Sequence, residues 1–177
     1  MSKPRIFVDT NVIIEAFRCN AWKELCCRFA VETVEKCYQE SLAGNPEHPE
    51  YEPVDRDQLG KGLARIHHVT DLDRAVFLQN RPDADGLDDG EFDLLAFLDL
   101  NNLAKDSVIV LSTADRAAVV TAGGFGWCDN LDSLESLLQQ AGVKGKLGGL
   151  RRHFTKRWLE EIKVRLILDQ GQPKKSK

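Results

Sequence analysis

The chain has 177 residues, 42% of them hydrophobic and 29% charged, which is about one domain in length and enough apolar material to bury a core without disulfide or metal staples. No apolar run reaches the eighteen or so residues of a membrane span, and Met1-Ser2-Lys3-Pro4-Arg5 leads into a strand rather than a signal-peptide core; a cytoplasmic protein with no membrane partner is expected. Cys19, Cys26, Cys27, Cys37 and Cys128 are odd in number and lack paired metal-ligand spacing, so they read as reduced thiols and argue against a zinc site.

The net charge of −4 hides an asymmetry. Residues 1–150 carry 15 Lys and Arg against 25 Asp and Glu, whereas residues 151–177 carry 9 against 3. The body is acidic and the end basic, a distribution that attracts polyanions or marks a solvated helix face and tail.

In chain order, residues 5–8 form an apolar strand that runs into Asp9, and a helix follows over 11–18 with Val12, Ile13, Ala16 and Phe17 inward. Residues 22–27 read as helix, 28–31 as a brief strand, and 33–42 as a helix that Thr33 caps. A surface loop spans 43–58, with Gly44, Pro46, Pro49, Pro53 and many acids. Residues 66–69 form a strand and 72–80 a helix that stops before Pro82. An acidic, turn-rich loop over 81–90 delivers the chain to Glu91 at the opening of a helix in which Phe92, Leu95, Ala96, Leu98 and Leu103 keep the 3.6-residue period, Asp99 being the exception.

Residues 107–111, Ser-Val-Ile-Val-Leu, are the clearest buried strand, apolar almost throughout as parallel strands covered on both faces are. Ser112 to Arg116 turns into a helix reaching Gly123-Gly124; 125–128 is a last short strand and 131–140 a helix. Strands alternate with helices, which predicts an α/β fold with a parallel sheet covered on both faces. The organisation is a body over 1–142, a Gly-rich linker and C-terminal amphipathic helix over 143–168, and a disordered basic tail over 169–177. The helix, 153–168, docks Phe154, Trp158, Leu159, Ile162, Leu166 and Ile167, and shows Arg151, Arg152, Lys156, Arg157, Lys163 and Arg165 on its other side.

The chemistry lies in the acids. Asp9 follows the first strand, Asp115 follows the strand ending at Leu111, and Glu91 opens a helix between them. If those two strands are neighbours, all three carboxylates face one crevice at the carboxyl edge of the sheet, where α/β proteins bind ligands. Two like charges 4 Å apart repel by about 4 kcal/mol at an effective dielectric of 20, so the cluster needs protons or bound cations. Mg²⁺ or Mn²⁺, which accept carboxylate and phosphate oxygens together, fit that need. The competing reading of Asp9 or Asn11 is a helix cap. Asp93 is a secondary ligand candidate, although acids in a first helical turn are favoured by the dipole alone. Arg116 follows Asp115 closely enough to touch a phosphate or pair with an acid. His67 and His68 alternate faces, so at most one reaches a site.

Val8-Asp9-Thr10-Asn11-Val12, Asp89-Gly90-Glu91-Phe92 and Val110-Leu111-Ser112-Thr113-Ala114-Asp115-Arg116, in that order, resemble the PIN (PilT N-terminus) domain nucleases over residues 4–142. The resemblance implies a three-layer α/β/α sandwich with a mainly parallel sheet, a metal site of Asp9, Glu91 and Asp115, metal-dependent cleavage of RNA, and often a toxin role beside a protein antitoxin, as in VapC-like proteins; a homodimer is a further partner. The family commonly places a fourth acid early in the helix after the second strand. Glu35 is the choice here, with Glu32 and Glu40 left open because the register of that helix is not fixed. Ser112 and Thr113 stand where many relatives carry another acid, which points to a single-metal or weak site. Arg151, Arg152, Lys156 and Arg157 are candidates to hold the RNA backbone. Two other classes stay open: a PIN-like scaffold that binds RNA or protein without cutting, and a phosphatase of the haloacid-dehalogenase type. The latter wants a second acid where Asn11 stands.

Overall fold

The computed structural model describes residues 2–170 apart from 45, 50, 107, 144 and 146. Four strands, β1 (Arg5–Val8), β2 (Ala30–Val34), β3 (Arg65–His67) and β4 (Ile109–Ser112), form one parallel sheet in the order β3-β2-β1-β4. Side chains alternate across a strand, so β1 sends Phe7 to one face and Ile6 and Val8 to the other. Phe7 joins Phe77, Leu95, Leu98, Val119 and Ile162 in one core, while Ile6 and Val8 join Ile13, Leu25, Leu134 and Leu137 in a second. The first core is covered by α3 (Glu35–Ser41), α5 (Asp71–Asn80), α6 (Asp89–Leu100), α7 (Arg116–Gly124) and α9 (Lys156–Gln170). The second is covered by α1 (Thr10–Arg18), α2 (Trp22–Arg28), α4 (Arg56–Gly62) and α8 (Leu134–Gln140). The result is a three-layer α/β/α sandwich. No helix among the described residues is long and apolar enough to cross a membrane.

Four local expectations need correction. The second strand runs to Val34 instead of ending at 31, because Thr33 is not a helix cap: its buried hydroxyl donates to the Val8 carbonyl across the sheet, 2.7 Å away. The loop expected to extend to 58 gives way at Arg56 to α4, capped by Asp55, whose carboxylate accepts from the Gln58 N–H at 2.8 Å. No strand forms over 125–128. Gly126 takes φ +85° and turns the chain, leaving the 3-10 turn Cys128–Asn130 and a single bridge between Leu111 and Leu131. Ile167, expected in the docked face of the last helix, is 63% exposed, whereas Leu159 and Ile162 are buried and Trp158 and Leu166 pack at the margin of the core. Of the basic tail, residues 171–177 lie outside the described residues, and 169 and 170 belong to α9. The Asp99 exception in α6 is satisfied by Arg81, 2.9 Å away.

The Gly-rich segment after α8 is tied to the body through Glu15, which is fully buried on α1. Its carboxylate accepts both Arg18 guanidinium bonds and the Arg151 N–H at 2.9 Å, and Arg18 in turn donates to the Gly149 carbonyl. Burial opposes ionisation of Glu15, but the Arg18 and Arg151 donors outweigh it and hold the acid below its ordinary range. Removing one side of a buried ion pair strands the other. Glu15→Gln is therefore expected to lower unfolding stability by about 2 kcal/mol, read by urea denaturation. A midpoint equal to wild type would rule out the anchoring role.

Candidate active site

Because β1 lies between β2 on one side and β4 on the other, the chain leaves β1 in one direction and returns later on the other side. The carboxyl ends of β1 and β4 thus flank the reversal point of an open parallel sheet, where such sheets leave a crevice. Val8 pairs with Ser112 in register, so the residues that follow, Asp9 and Thr113, emerge together. Asp9 is completely buried. One carboxylate oxygen caps α1 by accepting the Val12 N–H at 2.7 Å; the other accepts the Thr113 hydroxyl at 2.6 Å and the Ala114 N–H at 3.2 Å. Burial nonetheless pushes its pKa up to about 6; those three donors oppose the shift, and the nearby Asp115 adds to it. Asp115 caps α7, accepting the Ala118 N–H at 2.8 Å, and its own N–H donates to the Thr113 hydroxyl oxygen at 3.2 Å.

Glu91 enters from the first turn of α6 and is 6% exposed. Its pKa is pushed up to about 7, by burial first and then by the charges of Asp9, Asp115 and Asp88. Among the described residues no side chain donates to it. The residue before it, Gly90, is closely surrounded by side chains. A Cβ at position 90 would run into Glu40 Oε2 and crowd Cys37 Sγ and Thr10 Oγ1.

That crowding places one acid of α3, Glu40, against the start of α6. Glu40 accepts the Thr10 hydroxyl at 2.8 Å, and the buried Cys37 thiol, which donates to the Gly90 carbonyl at 3.3 Å, is held above its usual range by burial and then by the charges of Asp9, Glu40 and Glu91, against a lowering hydrogen bond from Thr10. The charges of Asp9, Glu40 and Glu91 are thus all felt at one thiol. Glu35 does not join them. It is 52% exposed in its side chain and pairs with the exposed His68 at 2.6 Å. Glu32 is buried elsewhere, between Arg5 at 2.6 Å and His67 at 2.7 Å. His67 stacks on Phe97 with ring centroids 4.0 Å apart and is a core residue. The signal for Glu40 was present in α3: Cys37 and Ser41 are its buried residues, and position 40 adjoins that stripe at helical spacing from 37, whereas 35 does not.

The other candidates separate in the same way. Asn11 is exposed, and the cap of α1 comes from Asp9 itself. Asp93 is engaged by Arg74 at 2.5 Å, and the same guanidinium reaches Asp89 at 2.7 Å. Thr113 is the clamp on Asp9. Ser112 lies opposite Val8 in the sheet, fully buried, and its hydroxyl has no partner among the described residues. Arg116 is exposed and has no acid partner among the described residues. Arg151 pairs with Glu15 and Glu52, and Arg152 and Arg157 both pair with Glu161 at 3.2 and 3.0 Å. Of the four expected RNA contacts only the Lys156 side chain is left without an acid partner among the described residues.

The chain matches no protein-family model, no curated protein and no solved structure. The chemistry of the donor set is that of a hard divalent cation: carboxylate oxygens, with the pKa values of two of the carboxylates, Asp9 and Glu91, raised by burial and mutual repulsion. As the side chains stand, no three His, Cys, Asp or Glu groups among the described residues are close enough to close on one ion. The fit is one of charge and donor type.

Proposed function

We propose that the protein is a PIN-like, metal-dependent endoribonuclease in which Asp9, Glu91, Asp115 and Glu40 hold Mg²⁺ or Mn²⁺. The observation that supports it most is the convergence of Asp9 and Glu91, both with strongly raised pKa, and Asp115 at the reversal point of a parallel sheet. Such an ion supplies the positive charge that offsets the attacking and leaving oxygens in phosphodiester cleavage. Thr113 and the Ala114 N–H hold one oxygen of the Asp9 carboxylate and the α1 cap holds the other.

The decisive assay is incubation of the full chain with single-stranded RNA in Mn²⁺, in Mg²⁺ and in EDTA. Cleavage that persists in EDTA, or no cleavage in either metal, overturns the proposal. Binding without cleavage would favour the scaffold reading, which the absence of a ready three-ligand group among the described residues supports. A phosphomonoester screen tests the dehalogenase-type phosphatase, against which stands the exposed Asn11 in the place of its second acid. A toxin role adds the requirement of a protein antitoxin. Val164, Ile167 and Leu168, exposed on α9, are apolar side chains from which that contact or a homodimer would be built.

Within the site, Glu40→Gln is expected to cut metal-dependent cleavage by about 10- to 100-fold, the usual cost of disturbing groups that order a metal site. Glu35→Gln leaves it within about twofold, as for a surface substitution away from the chemistry. The reverse ranking in single-turnover assays would return the fourth acid to Glu35.

A further inference from the structure

One residue along the chain from Asp115, between the start of α7 and the C-terminal helix, lies a cavity of 260 Å³ lined by Arg116, Arg152, His153, Trp158, Glu161 and Arg165, with Ile162 also in its lining. Its charge is unlike the rest of the body. Three guanidinium groups face one carboxylate, and that carboxylate is already shared by Arg152 and Arg157. Arg116 and Arg165 are exposed and pair with no acid among the described residues. Two unneutralised guanidinium groups in one concavity attract an anion, and their planar forks suit phosphate oxygens. Trp158 supplies a different chemistry. It is half-buried, its inner edge packed on the core and His153 set edge-on to it with ring centroids 6.4 Å apart, so it adds a fixed aromatic surface to a basic cavity. Phosphate-holding arginines beside an aromatic ring are the two components of single-strand recognition.

The position of the cavity is informative too. Arg116 follows Asp115 directly, so its Cα stands about 3.8 Å from that of the acid. The cavity exists only because α9 docks on α7, where Gly123 admits Leu166. Its volume lies just below the range of small-molecule pockets, ~300–1,000 Å³, which limits what it encloses to about one nucleotide.

We infer that this cavity binds one nucleotide of single-stranded RNA adjoining the phosphate held at the carboxylates, with Arg116 and Arg165 on its phosphate and the base against Trp158. This rests on the nuclease reading for its substrate. It also moves the RNA contacts from Arg151 and Arg157, which are occupied by acids, to Arg116 and Arg165. The C-terminal helix thereby becomes part of the substrate site.

The test is binding of a fluorescein-labelled decauridylate to the full chain, followed by fluorescence anisotropy in EDTA over a series of salt concentrations. Arg116→Ala and Arg165→Ala are each expected to weaken binding about 5- to 10-fold and to reduce the slope of log K against log[salt] by about 0.7, the value for one lost single-strand phosphate contact. Arg165→Lys, which keeps the charge, retains the wild-type slope, and circular dichroism establishes that each variant is folded. Wild-type affinity and slope in the double Arg116→Ala, Arg165→Ala variant would overturn the assignment, as would failure of the wild type to bind the oligonucleotide. Cleavage is scored separately in Mn²⁺. Binding that depends on both arginines in a protein that never cuts upholds the cavity and defeats the nuclease reading; cleavage that is indifferent to both arginines does the opposite.

Discussion

Asp9→Asn is expected to lose metal-dependent RNA cleavage by about 100-fold or more while the protein stays folded. The loss exceeds the ~10- to 100-fold attached to groups that only support a metal ligand, because Asp9 is the best-positioned carboxylate in the site, with both oxygens fixed by backbone and hydroxyl donors. The fold survives because asparagine is as good a helix cap as aspartate, and its carbonyl oxygen can keep the Val12 N–H. What asparagine cannot do is present two acceptor oxygens. Its amide NH2 takes the place of the one oxygen that accepts both the Thr113 hydroxyl and the Ala114 N–H, and it carries no charge for a cation. Against that loss stands relief from burying an ionisable acid, so the net stability change at neutral pH stays within about 1 kcal/mol. Single-turnover cleavage in Mn²⁺, with a urea titration of the same preparation, measures both quantities. Full activity in the variant would remove Asp9 from the site, and unfolding would show that its role as a cap dominates.

Asp9, Glu91 and Asp115 were legible in the sequence because each sits at an element boundary with a strong local signature: an apolar strand running into an acid, or a turn-rich loop opening a helix. Their convergence was conditional on β1 and β4 being neighbours, and no local pattern states strand order. Glu35 was preferred and Glu40 left open because the register of that helix could not be fixed from the sequence. Thr33 looks like a helix cap, but its hydroxyl serves the Val8 carbonyl, 25 residues away, so α3 starts at Glu35 and not at 33. Glu32 made β2 look shorter than it is. A buried glutamate interrupts an apolar run unless its partners are known, and Arg5 and His67 lie 27 and 35 residues distant. The same limit applies to the basic end of the chain. Counting charges located a cationic segment, but which arginines are free depends on where Glu15, Glu52 and Glu161 fall in three dimensions, and Arg116 comes from another element altogether.

Without divalent metal, the protein is expected to become less stable as pH rises from about 4 to about 7, and Mn²⁺ is expected to reverse this. Asp9 titrates at about 6 and Glu91 at about 7 in the folded protein, against ordinary values of 3.8 and 4.5. An acid with a raised native pKa binds its proton more tightly folded than unfolded. Its contribution is therefore complete below the ordinary value and is lost as pH climbs through the native one. At ~1.4 kcal/mol per unit, the two together are on the order of 3–5 kcal/mol after allowance for water reaching Glu91. Glu15 and Glu32 oppose this trend. Burial of each is outweighed by its Arg partner, so both are held low, and their contribution is present above about 4.5 and disappears as pH falls through their native values. A cation binds only the ionised carboxylates and so competes with protons. Mn²⁺ at 100 times its dissociation constant adds about 2.7 kcal/mol, most of it at pH 8 and little at pH 5. Thermal melts at both pH values, with Mn²⁺ and with EDTA, read the effect in the absence of any RNA. In Asp9→Asn the Mn²⁺ shift at pH 8 shrinks, and the metal-free decline between pH 4 and 7 becomes shallower. An equal shift at the two pH values, or one that Asp9→Asn leaves intact, would mean that the metal binds somewhere other than the crevice between β1 and β4.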